Sequence, residues 1–264
     1  MLERSATSIS ISKQMNEFYE LNGIVTDRPA CPHLNDCRKI AKSRELICCS
    51  QAHIGTKYGE EIRIVVVSLD TGEDAYDLER RTEVMEEIRY VEKPCKQTKG
   101  TMELLFDLLG TKGILIDNVL KYTSMTNSAK CSGVGSKNKL STRIYQNCSK
   151  YQIEELELLQ PDVIYTQGVD SMRYLRRYFT ENEIPSAGKI NDFICKNELN
   201  ETDVCFGILN SSVKLVKIAN KPVVVVECPH PSARDGRWRV FKKEKMNIIN
   251  RFISSTYNVV NIGT

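Results

Sequence analysis

Residues 62 to 69, Ile-Arg-Ile-Val-Val-Val-Ser-Leu, decide the fold class of this 264-residue chain. Their β-branched side chains run almost without a break, and the turn sequences Tyr58-Gly59 and Asp70-Thr71-Gly72 enclose them. A strand that is apolar on both faces is typical of the buried, parallel strands of α/β proteins. The segment therefore predicts a buried strand that delivers Asp70 to the carboxyl end of a sheet.

The rest of the chain alternates between predicted strands and helices. Further strands are predicted at 120–126, 162–168, 213–218 and 223–226, the last two as a hairpin. Helices are predicted at 76–90, 101–109, 154–159, 171–179 and 238–252, and a Gly-, Ser- and Lys-rich loop at 132–141. This order favours a three-layer α/β/α fold with a mainly parallel central sheet. Ligands of such folds bind beyond the strand carboxyl ends, where we expect Asp70, Asn127 and His230.

Composition and length predict one compact domain overall. The chain has 41% hydrophobic and 27% charged residues, so it can bury a full core. We expect residues 1–60 to form a cysteine-containing segment packed on an α/β domain of residues 61–264. The start, Met1 to Lys13, is Ser-rich and lacks the apolar core of a signal peptide, and no run of eighteen apolar residues occurs. The expected protein is a cytoplasmic monomer without a membrane partner.

The chain contains ten cysteines. A disulfide framework belongs to small secreted proteins, so metal or cluster ligation is the better interpretation of part of this set. A second group is interpreted as small, buried apolar side chains: Cys95, Cys195 and Cys205.

The segment Cys-Pro-His-Pro-Ser-Ala-Arg at residues 228–234 directly follows the apolar run Val223 to Val226. This position predicts His230 at the carboxyl end of a strand, where an imidazole can stabilise negative charge on a leaving group. The alternative is a histidine that only caps a loop between two prolines. The net charge of +3 is too small to indicate nucleic-acid binding, but a local group of cations surrounds the single tryptophan. This pattern suits phosphate and base contacts and predicts a DNA-binding surface of Arg234, Arg237, Trp238 and Lys242.

Four motifs complete the pattern. Residues 124–131 read Ser-Met-Thr-Asn-Ser-Ala-Lys-Cys, residues 148–151 read Cys-Ser-Lys-Tyr, and residues 155–164 read Glu-Leu-Glu-Leu-Leu-Gln-Pro-Asp-Val-Ile before Gly168. His230-Pro231-Ser232 is the last. In this order the chain resembles the uracil-DNA glycosylase superfamily, specifically its iron-sulfur branches, the fourth and fifth families. The ordered series carries the resemblance, because each piece alone is weak.

The resemblance implies a DNA repair enzyme that hydrolyses the N-glycosidic bond of uracil or another damaged base and leaves an abasic site. Such an enzyme flips the base out of the stack. Asp70 would orient the water, Asn127 would bind the amide edge of a pyrimidine, and His230 would donate to the departing base. The substrate contacts implied by the matching positions are Leu69, Gly72, Asn127 and Ser232. Taken by itself, Asn127 is better interpreted as an asparagine that ends a strand in a turn.

The first motif departs from the iron-sulfur branches, in which it is typically Gly-Glu-x-Pro-Gly. Here the usual acidic position is Leu69, and Asp70 lies one residue later. Glu73 and Asp74 are alternative acids, and residues 94–101 contain no aromatic side chain to stack on the base. A nonhydrolytic nucleic-acid-binding member of the superfamily is therefore the alternative function.

The resemblance also implies a structural 4Fe-4S cluster. Cys131 and Cys148 match the two later ligands of the iron-sulfur branches. For the two earlier ligands we favour Cys31 and Cys37, because a short intervening loop orders few residues, and Cys49 is the alternative to one of them. Four thiolates also suit zinc, which is the alternative metal.

Overall fold

The structure, a computed structural model, describes residues 4–25, 30–41, 46–47, 51–68, 94, 96–133, 142–197, 202–233 and 235–260. A seven-stranded mixed sheet lies at its centre, in the order β2-β4-β3-β6-β9-β8-β7, and β1 pairs with β5 separately. The strands are β1 Leu46–Ile47, β2 His53–Ile54, β3 Ile64–Ser68, β4 Thr123–Asn127, β5 Ser132–Gly133, β6 Val163–Gln167, β7 Glu183–Ile184, β8 Val213–Ile218 and β9 Lys221–Cys228.

Helices cover both faces of this sheet. They are α1 Ala6–Asn22, α2 Leu34–Ala41, α3 Lys96–Leu109, α4 Thr142–Leu159, α5 Val169–Arg173, α6 Arg176–Glu181, α7 Ala187–Lys196, α8 Thr202–Ser212, α9 Arg237–Val240 and α10 Met246–Val260. A π-helical turn, Phe241–Lys245, joins α9 to α10, and short 3-10 helices span Gly110–Lys112 and Ile116–Tyr122.

The four adjacent strands β4, β3, β6 and β9 are parallel. Antiparallel strands flank them, with β2 against β4 on one side and β8 and then β7 beyond β9 on the other. The predicted α/β class with a mostly parallel sheet is thereby confirmed, and so is the hairpin of β8 and β9. The parallel strands bring their carboxyl ends to one edge, which is where a ligand site is expected.

Side chains of β3 divide the core into two faces. Ile64 and Val66 pack with α3, α7, α8 and α10, on what we call the α10 face. Val65 and Val67 pack with α1, α2, α4, α5 and α6, on the α4 face. All five residues of β3 are buried, and full burial of one Val or Ile side chain contributes about 1.5–3 kcal/mol. The continuous apolar run of this strand is therefore explained by a helical layer on each side.

Several predicted boundaries differ from the structure. Residues 120–122 belong to a 3-10 helix, and the predicted helix at 154–159 is only the end of α4. The predicted helix at 171–179 divides into α5 and α6, and two further helices, α7 and α8, were not predicted. The first half of α4 is polar, so its buried Ile144 and Tyr145 are too few to reveal a helix by sequence pattern alone. The predicted helix at 76–90 lies outside the described residues.

The segment before residue 60 contributes to the helical layer on the α4 face and to the central sheet. Helix α1 begins after Ser5, whose side chain accepts a hydrogen bond from the Ser8 amide, and it buries Ile11 and Met15 on the α4 face. Strand β2 extends the central sheet beside β4. In the described part of the chain, no helix has the length and apolar character needed to span a bilayer.

Candidate active site

The four parallel strands end side by side at what we call the carboxyl edge. Asn127 of β4 lies opposite Ser68 of β3, and Gln167 of β6 lies opposite Cys228 of β9. Pairing of Val67 with Thr166 places Ser68 beside Gln167. From β4 to β9 this edge spans three strand spacings, roughly 14 Å, enough for a flat base between its two ends.

A chain of hydrogen bonds fixes the middle of the edge. Ser68 Oγ donates to Gln167 Oε1 at 3.3 Å, and Gln167 Nε2 donates to Thr101 Oγ1 at 2.8 Å. Thr101 Oγ1 in turn donates to the Gln97 carbonyl at 3.0 Å. The side chains of Ser68, Gln167 and Thr101 are buried, and Gln97, at the outer end of this chain of hydrogen bonds, is partly exposed. Helix α3 is thus tied to the strand ends by polar contacts as well as by apolar packing.

Asn127 is 1% exposed and lies at the β4 end of the carboxyl edge. The next residue, Ser128, bonds back to β3: its amide donates to the Ser68 carbonyl at 2.8 Å, and its hydroxyl donates to the same oxygen at 3.1 Å. Gln152 Nε2 of α4 donates to Ser128 Oγ at 3.3 Å. The buried Gln152 Oε1 has no hydrogen-bond partner among the described residues. The backbone that carries Asn127 is therefore held to β3 and α4.

We call residues 229–233 the histidine loop. The backbone N–H of Ser232 donates to His230 Nδ1 at 3.2 Å, and Ser232 Oγ lies 2.7 Å from the same nitrogen. An amide can only donate, so Nδ1 is the acceptor and the neutral ring carries its proton on Nε2. His230 is partly buried, and in this tautomer the donor of the ring is Nε2–H. The bond from the Ser232 amide sets the tautomer of the neutral ring, and it is also a bond that a histidine capping the loop would make.

Two glycines lie beside the histidine loop. Gly168, directly after β6, has φ +93°, and a Cβ there would lie 3.5 Å from the His230 Cβ. Gly100 of α3 approaches the loop more closely, because a Cβ there would lie 2.5 Å from the Pro231 Cβ. Residue types with side chains are therefore excluded at Gly100 unless the loop moves.

A buried ion pair lies behind Asn127 on the α4 face. Lys130 Nζ is 2.5 Å from Glu155 Oε2, with the two side chains 1% and 0% exposed. Lys130 Nζ also donates to Thr126 Oγ1 at 2.9 Å, and Thr126 Oγ1 donates to Glu155. Tyr19 OH of α1 donates to Glu155 Oε1 at 2.8 Å. Both charges are thus compensated, and the strand end at Asn127 is joined to α1 and α4.

The predicted DNA-binding side chains have partners within the chain. Arg237 Nε is 2.5 Å from Asp235 Oδ2, and Lys242 Nζ is 2.5 Å from Glu103 Oε2 of α3. Hydrogen bonds from Arg237 lower the pKa of Asp235. Trp238 is partly buried and stacks on Phe241 with ring centroids 5.9 Å apart. The tryptophan therefore packs on the α10 face, which the sequence analysis did not anticipate.

A cleft of about 410 Å³ opens beside the histidine loop. Its wall includes Gly168, Pro229 and Phe241, together with charged side chains of both signs: Arg237, Lys245, Glu227 and Asp235. Burial and the neighbouring Glu227 raise the pKa of the Cys228 thiol at its base. This thiol remains protonated at neutral pH, so the structure gives it no role as a nucleophile.

The four cysteines predicted as ligands lie near one part of α4. Cys148 Sγ accepts a hydrogen bond from the Lys130 amide at 3.4 Å, and Cys37 Sγ accepts one from Asn147 Nδ2 at 3.4 Å. Cys31 Sγ is 3.6 Å from Tyr151 OH, and Cys131 is buried on the same face. Across the part of the chain that the structure describes, no three His, Cys, Asp or Glu side chains have the arrangement of a metal site.

One interpretation of a cysteine was wrong. Cys195 is exposed on α7, whereas the sequence analysis made it a buried apolar side chain. It lies near the end of an amphipathic helix, on the side away from the buried Ile190, Phe193 and Ile194. Cys205 is partly buried and contacts the α10 face.

Several predicted site residues lie outside the described residues. They are Leu69, Asp70, Gly72, Glu73, Asp74, Arg234, Cys49 and Cys95. The structure brings the strand that precedes Asp70 between the strands that carry Asn127 and Gln167. It adds Thr101, Gln167 and Gly100 to the site, which no local pattern could have revealed because their partners are distant in sequence.

No protein-family model matches this chain, and a search of curated proteins also found no match.

Proposed function

We propose that the protein is a DNA glycosylase with a uracil-DNA glycosylase-like fold, which hydrolyses the N-glycosidic bond of uracil or another damaged base. The observation that carries this proposal is the shared carboxyl edge, with Asn127 at one end and the histidine loop at the other. Amide and imidazole groups are those that a nucleobase edge requires, since one offers donor and acceptor and the other a donor.

The proposed chemistry assigns one task to each group. Asn127 binds the adjacent carbonyl and N–H of a flipped pyrimidine. His230, with its proton on Nε2, donates to a base carbonyl as negative charge develops there, which stabilises the leaving group. Asp70, two residues beyond Ser68, orients the attacking water and favours the sugar cation. Leu69, Gly72 and Ser232 complete the substrate contacts.

The proposed DNA surface continues from the histidine loop into α9 and the π-helical turn. Arg234, Arg237, Trp238 and Lys242 are its assigned residues. Binding by Arg237 and Lys242 would require exchange of Asp235 and Glu103 for phosphate oxygens, which reduces the net gain from each contact. Arg239 and Lys243 are exposed on the same segment and can contact phosphates without such an exchange.

For the cofactor we propose a structural 4Fe-4S cluster held by Cys31, Cys37, Cys131 and Cys148, with Cys49 as an alternative ligand and zinc as the alternative metal. The thiol-only donor set fits a cluster, and the N–H donors at Cys37 and Cys148 would stabilise thiolates. The group would tie the N-terminal segment to α4. The proposed location is the cytoplasm, where thiols stay reduced.

A panel of lesions, assayed for release of the free base, tests the chemistry. We expect the protein to convert uracil-containing DNA to alkali-labile abasic product. His230→Ala should slow release about 10²–10³-fold because a preorganised donor is lost. Ser232→Ala should slow it less, since the backbone N–H of Ser232 still holds Nδ1. Cys195→Ser, exposed on α7, is the matched control and should retain full activity.

A second function has one observation in its favour, the leucine at the usual acidic position of the first motif. In that case the protein binds damaged DNA without hydrolysis. Tight binding to uracil-containing DNA with no base released from any lesion would show that the protein is this binding module and not an enzyme.

The metal is tested on the purified protein. A broad visible absorbance and stoichiometric iron would support the cluster, whereas colourless protein with stoichiometric zinc would exclude it.

A further inference from the structure

A second cavity, of about 800 Å³, lies on the α10 face between the end of α3 and α10. Its wall includes Ile62, which precedes Ser68 by six positions, or roughly 20 Å of extended chain. It also includes Leu108, near the opposite end of α3 from Gly100. The cavity is therefore at the amino end of β3, away from the carboxyl edge and the histidine loop.

One wall of this cavity carries a buried hydrogen-bond donor without a partner. Asn250 is 5% exposed, and its Oδ1 accepts a hydrogen bond from Tyr165 OH at 2.8 Å. That bond orients the amide. Its Nδ2 has no hydrogen-bond partner among the described residues, although a buried donor left unpaired costs about 1–3 kcal/mol. An acceptor from outside the chain would remove this cost.

Positive charge lies at the mouth of the cavity. Arg251 is exposed there, and no hydrogen bond or ion pair joins it to another described residue. Lys112 Nζ lies 5.9 Å from the centre of the Tyr257 ring, so a cation and an aromatic surface are adjacent. The carboxylate of Asp107 faces the same space. Burial raises the pKa of this carboxyl group, while Lys242 opposes the shift and Glu103 adds to it.

We propose that this cavity binds a small phosphorylated molecule of the size of a nucleoside monophosphate. A phosphate offers several strong acceptor oxygens to Arg251 and Lys112. The Tyr257 ring and the apolar Ile62 and Leu108 suit a flat organic body, and Asn250 Nδ2 supplies a donor to it. The volume lies within the range of small-molecule sites, and is larger than inorganic phosphate needs.

Isothermal titration of the full chain with four probes tests this proposal: uridine monophosphate, adenosine monophosphate, uridine and inorganic phosphate. We expect at least one of the nucleotides to bind at least tenfold more tightly than uridine or inorganic phosphate. Arg251→Gln should weaken that binding about tenfold or more, corresponding to about 1.4 kcal/mol. Lys217→Gln removes an exposed cation of β8, outside the cavity and outside the proposed DNA surface, and should leave binding unchanged.

A second variant tests the hydrogen-bond donor of Asn250 separately from the positive charge of Arg251. Asn250→Asp retains an oxygen acceptor for Tyr165 OH but replaces the free donor, so it should abolish nucleotide binding. Unfolding temperatures of both variants establish that they are folded. The proposal fails if neither nucleotide binds at millimolar concentration, if inorganic phosphate binds as tightly, or if the folded Arg251→Gln protein retains wild-type affinity.

Discussion

The two faces of the central sheet hold the two ends of the candidate site by different means. On the α4 face, the strand end at Asn127 is joined to α1 and α4 through the buried charges of Lys130 and Glu155. On the α10 face, the histidine loop rests on α3 through close packing, with Gly100 against Pro231. One end of the site thus depends on buried electrostatics and the other on shape.

This difference matters because the two kinds of contact fail differently. A buried ion pair adds little net stability over well-packed apolar side chains, yet removal of one partner leaves an unpaired charge. Close packing tolerates loss of a methyl group better than it tolerates an added one without space. We therefore infer that the ion pair specifies the position of the β4 end, whereas the glycine sets that of the histidine loop.

The largest expected effect is on the α4 face. Glu155→Leu should lower the free energy of unfolding by about 3–5 kcal/mol, because Lys130 would remain buried without its carboxylate. Chemical denaturation measures this loss. The double variant Lys130→Met/Glu155→Leu should recover most of it, since no unpaired charge remains. Equal loss in the single and double variants would mean that the ion pair is not what the α4 face depends on.

A smaller effect is expected from Gly100→Ala on the α10 face. The added methyl group has no space beside Pro231, so the histidine loop must shift, at a cost of about 1–3 kcal/mol. Base release, if present, should fall with it because His230 moves with the loop. Gly188→Ala, at a glycine of α7 with open space around it, is the matched control. A Gly100→Ala protein with wild-type stability and activity would contradict the packing described here.

The smallest effect concerns pH. The pKa of Asp107 is raised in the folded protein, chiefly by burial, so its contribution to stability is full below the ordinary carboxyl pKa and is lost as pH rises through the folded value. Asp107→Asn should therefore unfold like wild type near pH 3 and become more stable above about pH 4. The gain should stay below about 1 kcal/mol, because water still screens this carboxyl group. Lys242, Glu103, Lys112 and Arg251 are the charged groups around it.

The Asp107→Asn variant also tests whether the two ends of α3 are coupled. Asp107 lies near the helix end away from the carboxyl edge, so its substitution should not alter activity at the histidine loop. An Asp107→Asn protein that lost base release would show that the cavity and the carboxyl edge are coupled.

Much of the fold could be predicted from particular stretches of sequence. Strands β3, β6, β8 and β9 were predicted from the apolar runs at 62–69 and 162–168 and the hairpin at 213–226. A strand that is buried on both faces needs such a continuous β-branched segment. Helices α7 and α8 were missed, and α4 was seen only in its last third. Helix α7 is short but amphipathic, with Ile190, Phe193 and Ile194 at helical spacing, so this pattern could have revealed it, whereas the first part of α4 is mostly polar.

The candidate site divides in the same way. The positions of Asn127 and His230 at strand ends followed from local sequence, since each comes directly after or at the end of an apolar strand. The hydrogen bonds of Gln167 with Ser68 and Thr101 did not, because they join residues far apart in the chain. The pairing of Lys242 with Glu103 could not be predicted from the basic segment either, because the two residues are 139 positions apart.

The sequence by itself determined the α/β class, the main strands and which side chains end them, because burial on two faces favours continuous β-branched runs such as those of β3 and β9. Tertiary structure alone decided which strands are neighbours, that Gln167 meets Thr101, and that Lys130 meets Glu155. These are contacts between distant segments, and their geometry depends on how helices close over both faces of the sheet, which no local pattern contains.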